Sequence, residues 1–239
     1  MKTLNAGKHV YCEWPLGRDV RESEEIRDAA ANAGVHVAVG LQARVNPTLL
    51  KAQAMLSDGA LGRILSARMY SGTIAFGPAE NEADSYLEDP NNGATHLTIH
   101  GGHAIDALIA LIGPIEALDT LGNTQYKDIS ISDESRMLKR TIPDHLLFQA
   151  KAKKNSIGIG VEVDGGKQPL DARFRFSITG ELGTMTLEGA ALVGFQAGRL
   201  ALTLNGTPVP INEHEIAGLP DAAANVASMY IALRDDIAF

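Results

Sequence analysis

Two runs of the chain carry residue types that could do chemistry. The first is Gly7-Lys8-His9-Val10-Tyr11-Cys12-Glu13-Trp14-Pro15-Leu16. A β-rich run closing on Glu-Trp-Pro puts an indole and a rigid turn at the carboxyl end of a strand, where ligands bind in α/β sheets. The second is Thr98-Ile99-His100-Gly101-Gly102-His103-Ala104-Ile105-Asp106. A helix starting near Gly101 would set His103 and Asp106 on one face. His103 could then serve as general acid or base near neutral pH, with Asp106 orienting or charging it. Gly101 and Gly102 would let the backbone come close to a ligand. Plainer readings fit the same residues. Trp14 can be core, with Pro15 ending its strand, and His103 can be a satisfied histidine with Asp106 bonded to backbone. A metal on His100, His103 and Asp106 is a further option, but the spacing assigns none.

Other catalytic signatures are missing from the sequence. There is no G-x-S-x-G, S-x-x-K, H-E-x-x-H, C-x-x-C or Walker A loop. His100-Gly101-Gly102 has no nucleophile elbow to serve. No G-x-G-x-x-G lies between a strand and a helix. Gly158-Ile159-Gly160 sits in a strand-rich stretch and opens no helix.

The elements that must position these runs have two textures. Residues 1–62 alternate strand and helix. A helix is predicted from Arg18 to Gly34, with Ile26, Ala29, Ala30 and Ala33 on one face. A mostly apolar strand over Val35–Leu41 reads as part of a sheet covered on both faces. Asn46-Pro47 opens another helix that ends at Gly59. Residues 63–239 are richer in strands, predicted at 63–74, 115–123, 145–153, 157–164, 172–179, 183–188, 191–196 and 199–204. The turn signals are Lys154-Asn155, Gly165-Gly166 and Gly180-Glu181. A helix near 101–112 interrupts them, and a last helix runs from about Pro220 to the final residue. Segment 75–95 reads as a long polar loop, a kind usually functional or mobile. The fold class is thus α/β followed by α+β, with a large, open, mostly antiparallel sheet and helices on one face. Apolar residues on both parities (Leu146, Leu147 and Phe148, then Ala190, Ala191, Leu192 and Val193) predict that a partner copy buries the open face.

Composition bounds the function. The chain has 239 residues, 45 % of them hydrophobic and 21 % charged, as in globular proteins. Its 21 basic and 29 acidic residues give a net charge of −8. That balance, without a basic block, argues against nucleic acid or an anionic membrane as partner. No window reaches a membrane span, and the N-terminus lacks the apolar core of a signal peptide. A single cysteine, Cys12, permits no intramolecular disulfide, so a cytoplasmic location is expected.

The two runs, with three others, resemble a known family. Gly7-Lys8-His9-Val10 through Glu13-Trp14-Pro15-Leu16 is similar to the GKHVxCEKPL segment of the Gfo/Idh/MocA oxidoreductases. Gly40-Leu41-Gln42-Ala43-Arg44 with Pro47 resembles the strand and Arg-x-x-Pro turn that follow it. Gly59 to Ile64 matches the joint between the family's two domains. Gly101 to Asp106 resembles its GxHxID helix, and Ile178 to Met185 its I-x-G-x-x-G-x-M hairpin. The Glu-Trp-Pro-Leu variant looks most like the Gal80-like branch.

The resemblance implies a Rossmann segment over 1–62 and a substrate and oligomerisation domain over 63–239. It also implies NAD(P)-dependent hydride transfer on a sugar or polyol, and a homodimer or tetramer formed through the C-terminal sheet. His103 stands at the family's catalytic histidine, with Asp106 beside it. Trp14 stands in place of the catalytic lysine, and Ile99 in place of a frequent aspartate. Glu13, Trp14, Pro15, Gln42 and Arg44 fall at cofactor-lining positions, and Trp14, His100, Gly102 and His103 at substrate-facing ones. The matching begins late in the Rossmann domain, after its Gly-rich turn and acidic strand, as a truncation would leave it. NAD or NADP binding is therefore expected to be weak or absent, and hydride transfer impaired. Two other functions stay open: a non-catalytic sugar-binding regulator, and a hydrolase using His100, His103 and Asp106.

Overall fold

The computed structural model describes residues 1–132, 134–153, 156–212 and 218–238, with the side chain of Ala190 left aside. The expected turn at Lys154-Asn155 and the final residue lie outside the described residues. In chain order the elements begin with α1 (Lys2–Asn5), β1 (Val10–Glu13), α2 (Val20–Ala33), β2 (Val37–Gly40) and α3 (Pro47–Ser57). Then come β3 (Ile64–Gly72), β4 (Ala79–Glu80), α4 (Gly102–Ile112), β5 (Ile115–Asn123), β6 (Asp128–Ile131) and β7 (Arg136–Lys139). The chain continues with β8 (His145–Ala152), β9 (Gly158–Asp164), β10 (Arg173–Gly180) and β11 (Gly183–Ala190). It closes with β12 (Ala201–Leu204), β13 (Thr207–Pro208) and α5 (Asp221–Ala238). Among the described residues no helix is long and apolar enough to cross a membrane.

Local chemistry sets the first helices. The Asp19 carboxylate caps α2 by accepting from Glu22 N at 2.7 Å, and Gly34 closes it at φ 63°. Asn46 caps α3 through Thr48 N at 2.9 Å, with Pro47 in its first turn. β1 and β2 pair in parallel, from Val10 opposite Val37 to Glu13 opposite Gly40. This pair is not covered on both faces as its apolar sequence predicts, and most of its residues are only half-buried. A sheet two strands wide has too little neighbouring structure to hide either face. Ala33, expected inward, is exposed, while Ala30 is buried.

The main sheet has eight strands in the order β13-β12-β11-β10-β3-β9-β8-β5. β3 and β9 run parallel, and the other neighbours are antiparallel. Its inner face is apolar: Leu146, Phe148, Val161, Phe174, Phe176, Ile178 and Leu187 are all buried. α3 and α4 supply the matching layer with Leu49, Ala52, Ala104, Ala107 and Leu108, in one core. Each large side chain buried there contributes about 1.5–3 kcal/mol.

The outer face is polar. Arg175 pairs with Glu188 across β10 and β11, and Ser177 with Thr186. This corrects the reading of mixed parity. Leu146 and Phe148 point inward and Leu147 outward, the alternation of a solvated face. Ala191 is buried, while Leu192 and Val193 lie beyond β11 in a turn. The predicted strand at 191–196 is absent. Gly194, at φ 114°, breaks it, and a short 3-10 turn follows over Phe195–Ala197.

Segment 75–95 is ordered, where a plain loop is expected. It contributes β4 to a small sheet of order β4-β6-β7 and two 3-10 turns. These strands are too short for periodicity to reveal. A buried ion network holds the segment. Arg140 donates to both Glu88 oxygens, at 2.8 and 2.6 Å, to Asp144 at 2.9 Å and to the Phe76 carbonyl at 2.6 Å. Asp144 also accepts from the amides of Gln125 and Tyr126. Breaking such a network leaves buried carboxylates without their cation, which costs about 3–5 kcal/mol. An Arg140→Met variant is therefore expected to lose about that much stability in urea denaturation, and an unchanged midpoint would refute this.

Candidate functional site

Trp14 directly follows β1, and its bond to Pro15 is cis. Its Nε1 donates to the Thr98 carbonyl at 2.6 Å. The indole lies on Gly102, where a Cβ would sit 2.4 Å from the indole nitrogen. Glycine is needed there for close approach. Thr98 belongs to a π-helical turn, Leu97–Gly101, that leads into α4. Such turns recur at functional sites.

His103 comes one residue after Gly102 and is buried. Its Nδ1 makes no hydrogen bond. Burial, and then His100, lowers its pKa to about 4. The ring is neutral at pH 7, so it can accept a proton but carries no imidazolium charge. The expected coupling to Asp106 is not made. The Asp106 carboxylate instead takes Arg44, whose Nε donates to both oxygens at 2.9 Å and whose Nη2 donates at 2.6 Å. Asp106 is the carboxylate of an otherwise apolar helix face and needs a cation. Arg44 sits 62 residues earlier in the chain, so helical spacing could not reveal the pair.

His100 turns toward β3. Its Nε2 lies 3.0 Å from Ser71 Oγ and 3.2 Å from the Ser71 carbonyl. It stacks at 5.4 Å on His96, which packs at 4.8 Å on Phe76. Burial lowers His100 to about 4 and His96 to about 3. His100, His103 and Asp106 do not gather their ligand atoms into a metal-holding group. The hydrolase constellation is not assembled.

A cleft of about 560 Å³ opens at the carboxyl ends of β1 and β2, lined by Trp14, Pro15, Leu16, Val20, Val39 and Leu41. Its position is the one expected of a ligand cleft in parallel sheets. Gln42 and Arg44 occupy the 3-10 turn after β2, and Gln42 Oε1 is buried with no hydrogen-bond partner. Glu13 is exposed at the end of β1, its carboxylate beside the Tyr11 hydroxyl over Gly40. Trp14 and Pro15 thus line the cleft, Gly102 lies under the indole, and His103 is buried behind. Sequence reasoning missed Ser71 and His96, and included Thr98 in its run without a role. Two histidines four residues apart, His96 and His100, were the available signal.

Among the described residues, the helix that opens beside this cleft, α2, does not offer a dinucleotide phosphate cradle. A pyrophosphate needs free amides at a helix N-terminus. In α2 the Glu22 amide is already taken by Asp19, and the Glu22 carboxylate takes the Arg18 amide at 2.7 Å. That helix start is closed by two acids.

Comparison with known proteins identifies the family. The family defined by the C-terminal domain of Gal80p matches residues 47–189. The chain belongs to this Gal80p C-terminal-like group of the Gfo/Idh/MocA family. The dehydrogenase aclE of Aspergillus oryzae is 30 % identical over 198 residues, covering 81 % of this chain and 54 % of that protein. The galactose/lactose metabolism regulatory protein GAL80 of Saccharomyces cerevisiae is 28 % identical, covering 84 % and 48 %. The chain spans about half the length of these curated relatives. A super-repressor mutant of Gal80p from S. cerevisiae superimposes with TM-score 0.81 at 23 % identity, over 96 % of this chain and 61 % of that one. Levoglucosan dehydrogenase in complex with NADH gives 0.77 at 18 %, over 97 % and 66 %. The fold is shared by regulators and dehydrogenases alike.

The buried histidines set an acid limit on stability. Unfolded, each titrates near 6.5, whereas His96, His100 and His103 are held at about 3, 4 and 4. The unfolded chain then binds more protons below pH 6.5. Stability is full above that pH and is lost as pH falls toward about 4. Each group contributes a slope of up to about 1.4 kcal/mol per pH unit. Urea midpoints should fall steeply from pH 7 to 5, and less steeply in a His103→Gln variant. A flat profile would exclude the arrangement.

Proposed function

We propose that the chain binds a sugar or polyol as a regulatory, non-catalytic module, using the substrate-facing half of a Gfo/Idh/MocA-type site. The carrying observation is the Trp14 indole seated on Gly102 next to a neutral, buried His103. Where the family resemblance expects a lysine, an indole offers an aromatic face for the C–H side of a sugar ring. It has no proton to transfer. In this reading Trp14 contacts the sugar, Gly102 seats the indole, His103 backs it, and His100 braces the floor through Ser71. Arg44 and Gln42 border the site.

A second reading keeps NAD(P)-dependent oxidoreduction. It draws on the unpartnered Nδ1 of His103, a free base at the position of the family's catalytic histidine, and on the dehydrogenases among the relatives. Glu13, Trp14, Pro15, Gln42 and Arg44 would then meet the nicotinamide end of the cofactor. Trp14 is the single tryptophan, so its emission reports the site directly. Titration with galactose, D-xylose and levoglucosan should change that emission. Calorimetry with NAD(H) and NADP(H) should show nothing tighter than millimolar, with no change in nicotinamide absorbance. Gly102→Ala should displace the indole and weaken the sugar at least about tenfold. Absence of any sugar effect refutes the first reading. Micromolar NAD(H) affinity with turnover establishes the second.

The open sheet face supports the reading of a homodimer or dimer of dimers. A concavity of about 710 Å³ runs over it, lined by Arg68, Leu121, Leu147, Gln149 and Glu162 among others. Leu121 and Leu147 are cross-strand neighbours and both are exposed. Closed two-fold pairing would bury them. Light scattering should give a dimer at micromolar concentration, split by Leu147→Glu, and a stable monomer would reject the assembly. The charge of −8 favours no nucleic-acid partner, and the single Cys12 suits a reducing cytoplasm.

A further inference from the structure

Away from the Trp14 cleft, the β8–β9 register gathers three metal-ligating side chains. His145 pairs with Asp164, and Leu147 with Glu162. Residues two apart on a strand share a face, so His145, Glu162 and Asp164 all stand on the open face at one end of the sheet. Each offers a ligand atom within 4.8 Å of the others. His145 Nε2 lies 3.0 Å from Glu162 Oε1.

A second observation points to a missing ligand. The Asp164 side chain is 8 % exposed, and Lys167 Nζ meets its Oδ2 at 2.7 Å. Its Oδ1 is buried and has no hydrogen-bond partner. A buried carboxylate oxygen left unpaired is costly, and native structures rarely leave one without cause. Lys167 does not answer it, because that ammonium is committed to the other oxygen. The local backbone holds this arrangement in place. Thr73 N donates to the Asp164 carbonyl and Lys167 N to the Thr73 carbonyl, both at 2.9 Å. Gly166, at φ 67°, makes the turn between them, where a Cβ would strike Tyr126 at 2.4 Å. Lys167 thus orients the carboxylate as an outer-shell partner does.

We propose that His145, Glu162 and Asp164 bind a divalent first-row cation, zinc or manganese. One imidazole nitrogen with two carboxylates suits such an ion better than magnesium, which prefers oxygen and keeps its waters. Three protein ligands leave positions open to water or an added ligand.

The test uses the full chain, stripped with chelator and titrated with Zn²⁺ by calorimetry and with Co²⁺ by visible absorption. One ion per chain should bind at micromolar concentration, and millimolar Mg²⁺ should not displace it. His145→Ala should abolish binding and the Co²⁺ absorption. Glu162→Gln should weaken binding at least about tenfold. Glu162 is part-exposed, so the Gln variant keeps the fold, as circular dichroism can verify, and it decides the matter if His145→Ala fails to fold. No Zn²⁺ binding, or binding unchanged in Glu162→Gln, overturns the proposal. The latter result would place the ion elsewhere, for instance at the Glu213-His214-Glu215 run.

Discussion

A carboxylate on an apolar helix needs a cation, and α4 cannot provide one. Asp106 is surrounded along the helix by Ala104, Ile105, Ala107 and Leu108. Removing a carboxylate from water costs several kcal/mol unless it is paired. The partner is Arg44, from the turn that ends the two-stranded unit. Half of the Arg44 side chain faces water, so the pair is worth less than a fully buried one. Its geometric effect is larger than its energy. It fixes the β2 turn against the helix that covers the main sheet, and the same docking seats Trp14 over Gly102. Tyr230 of α5 stacks on Tyr11 at 4.5 Å and adds a second tie between the parts.

Much of the frame could be read from the residues. Phe174, Phe176 and Ile178 alternate with Arg173, Arg175 and Ser177, and that strand forms as its period requires. The caps at Asp19 and Asn46 act where their residue types predict. What escaped has physical causes. β4 and β13 are two residues long and carry no period. The Arg44–Asp106 and Arg140–Glu88 pairs join distant segments, so only the fold reveals them. In the candidate site, the resemblance placed Trp14 and Gly102 at substrate-facing positions, whereas the seating of the indole on Gly102 and the turning of His100 toward Ser71 depended on a π turn that helical spacing does not foresee.

The outer face of the sheet shows how composition can mislead. Runs such as Leu146-Leu147-Phe148 look apolar on both sides, yet only Leu147 of the three points outward, beside the exposed Leu121 and among polar neighbours. Arg68, Gln149 and Glu162 surround Leu147 in the concavity. A face of this kind can exist in water and still be joined by a partner, as non-obligate interfaces are. The core beneath it needs no such partner, because α3 and α4 already complete the inner layer.

The position of β3 bears on how the chain acquires its shape. It lies inside the main sheet between β10 and β9, and its parallel partner is about 90 residues later. During synthesis β3, α3 and α4 emerge with their apolar faces made and no sheet to receive them. The platform on which His100 meets Ser71 exists only once β9 and β10 have been added. Long-range pairing of this sort is slow and leaves sticky intermediates. The Trp14 region is therefore translated before the strands that complete the sheet beneath His100 and Ser71. A nascent chain released before the β10–β11 hairpin would carry every residue of the site while β3, which bears Ser71, still lacked one of its two neighbours.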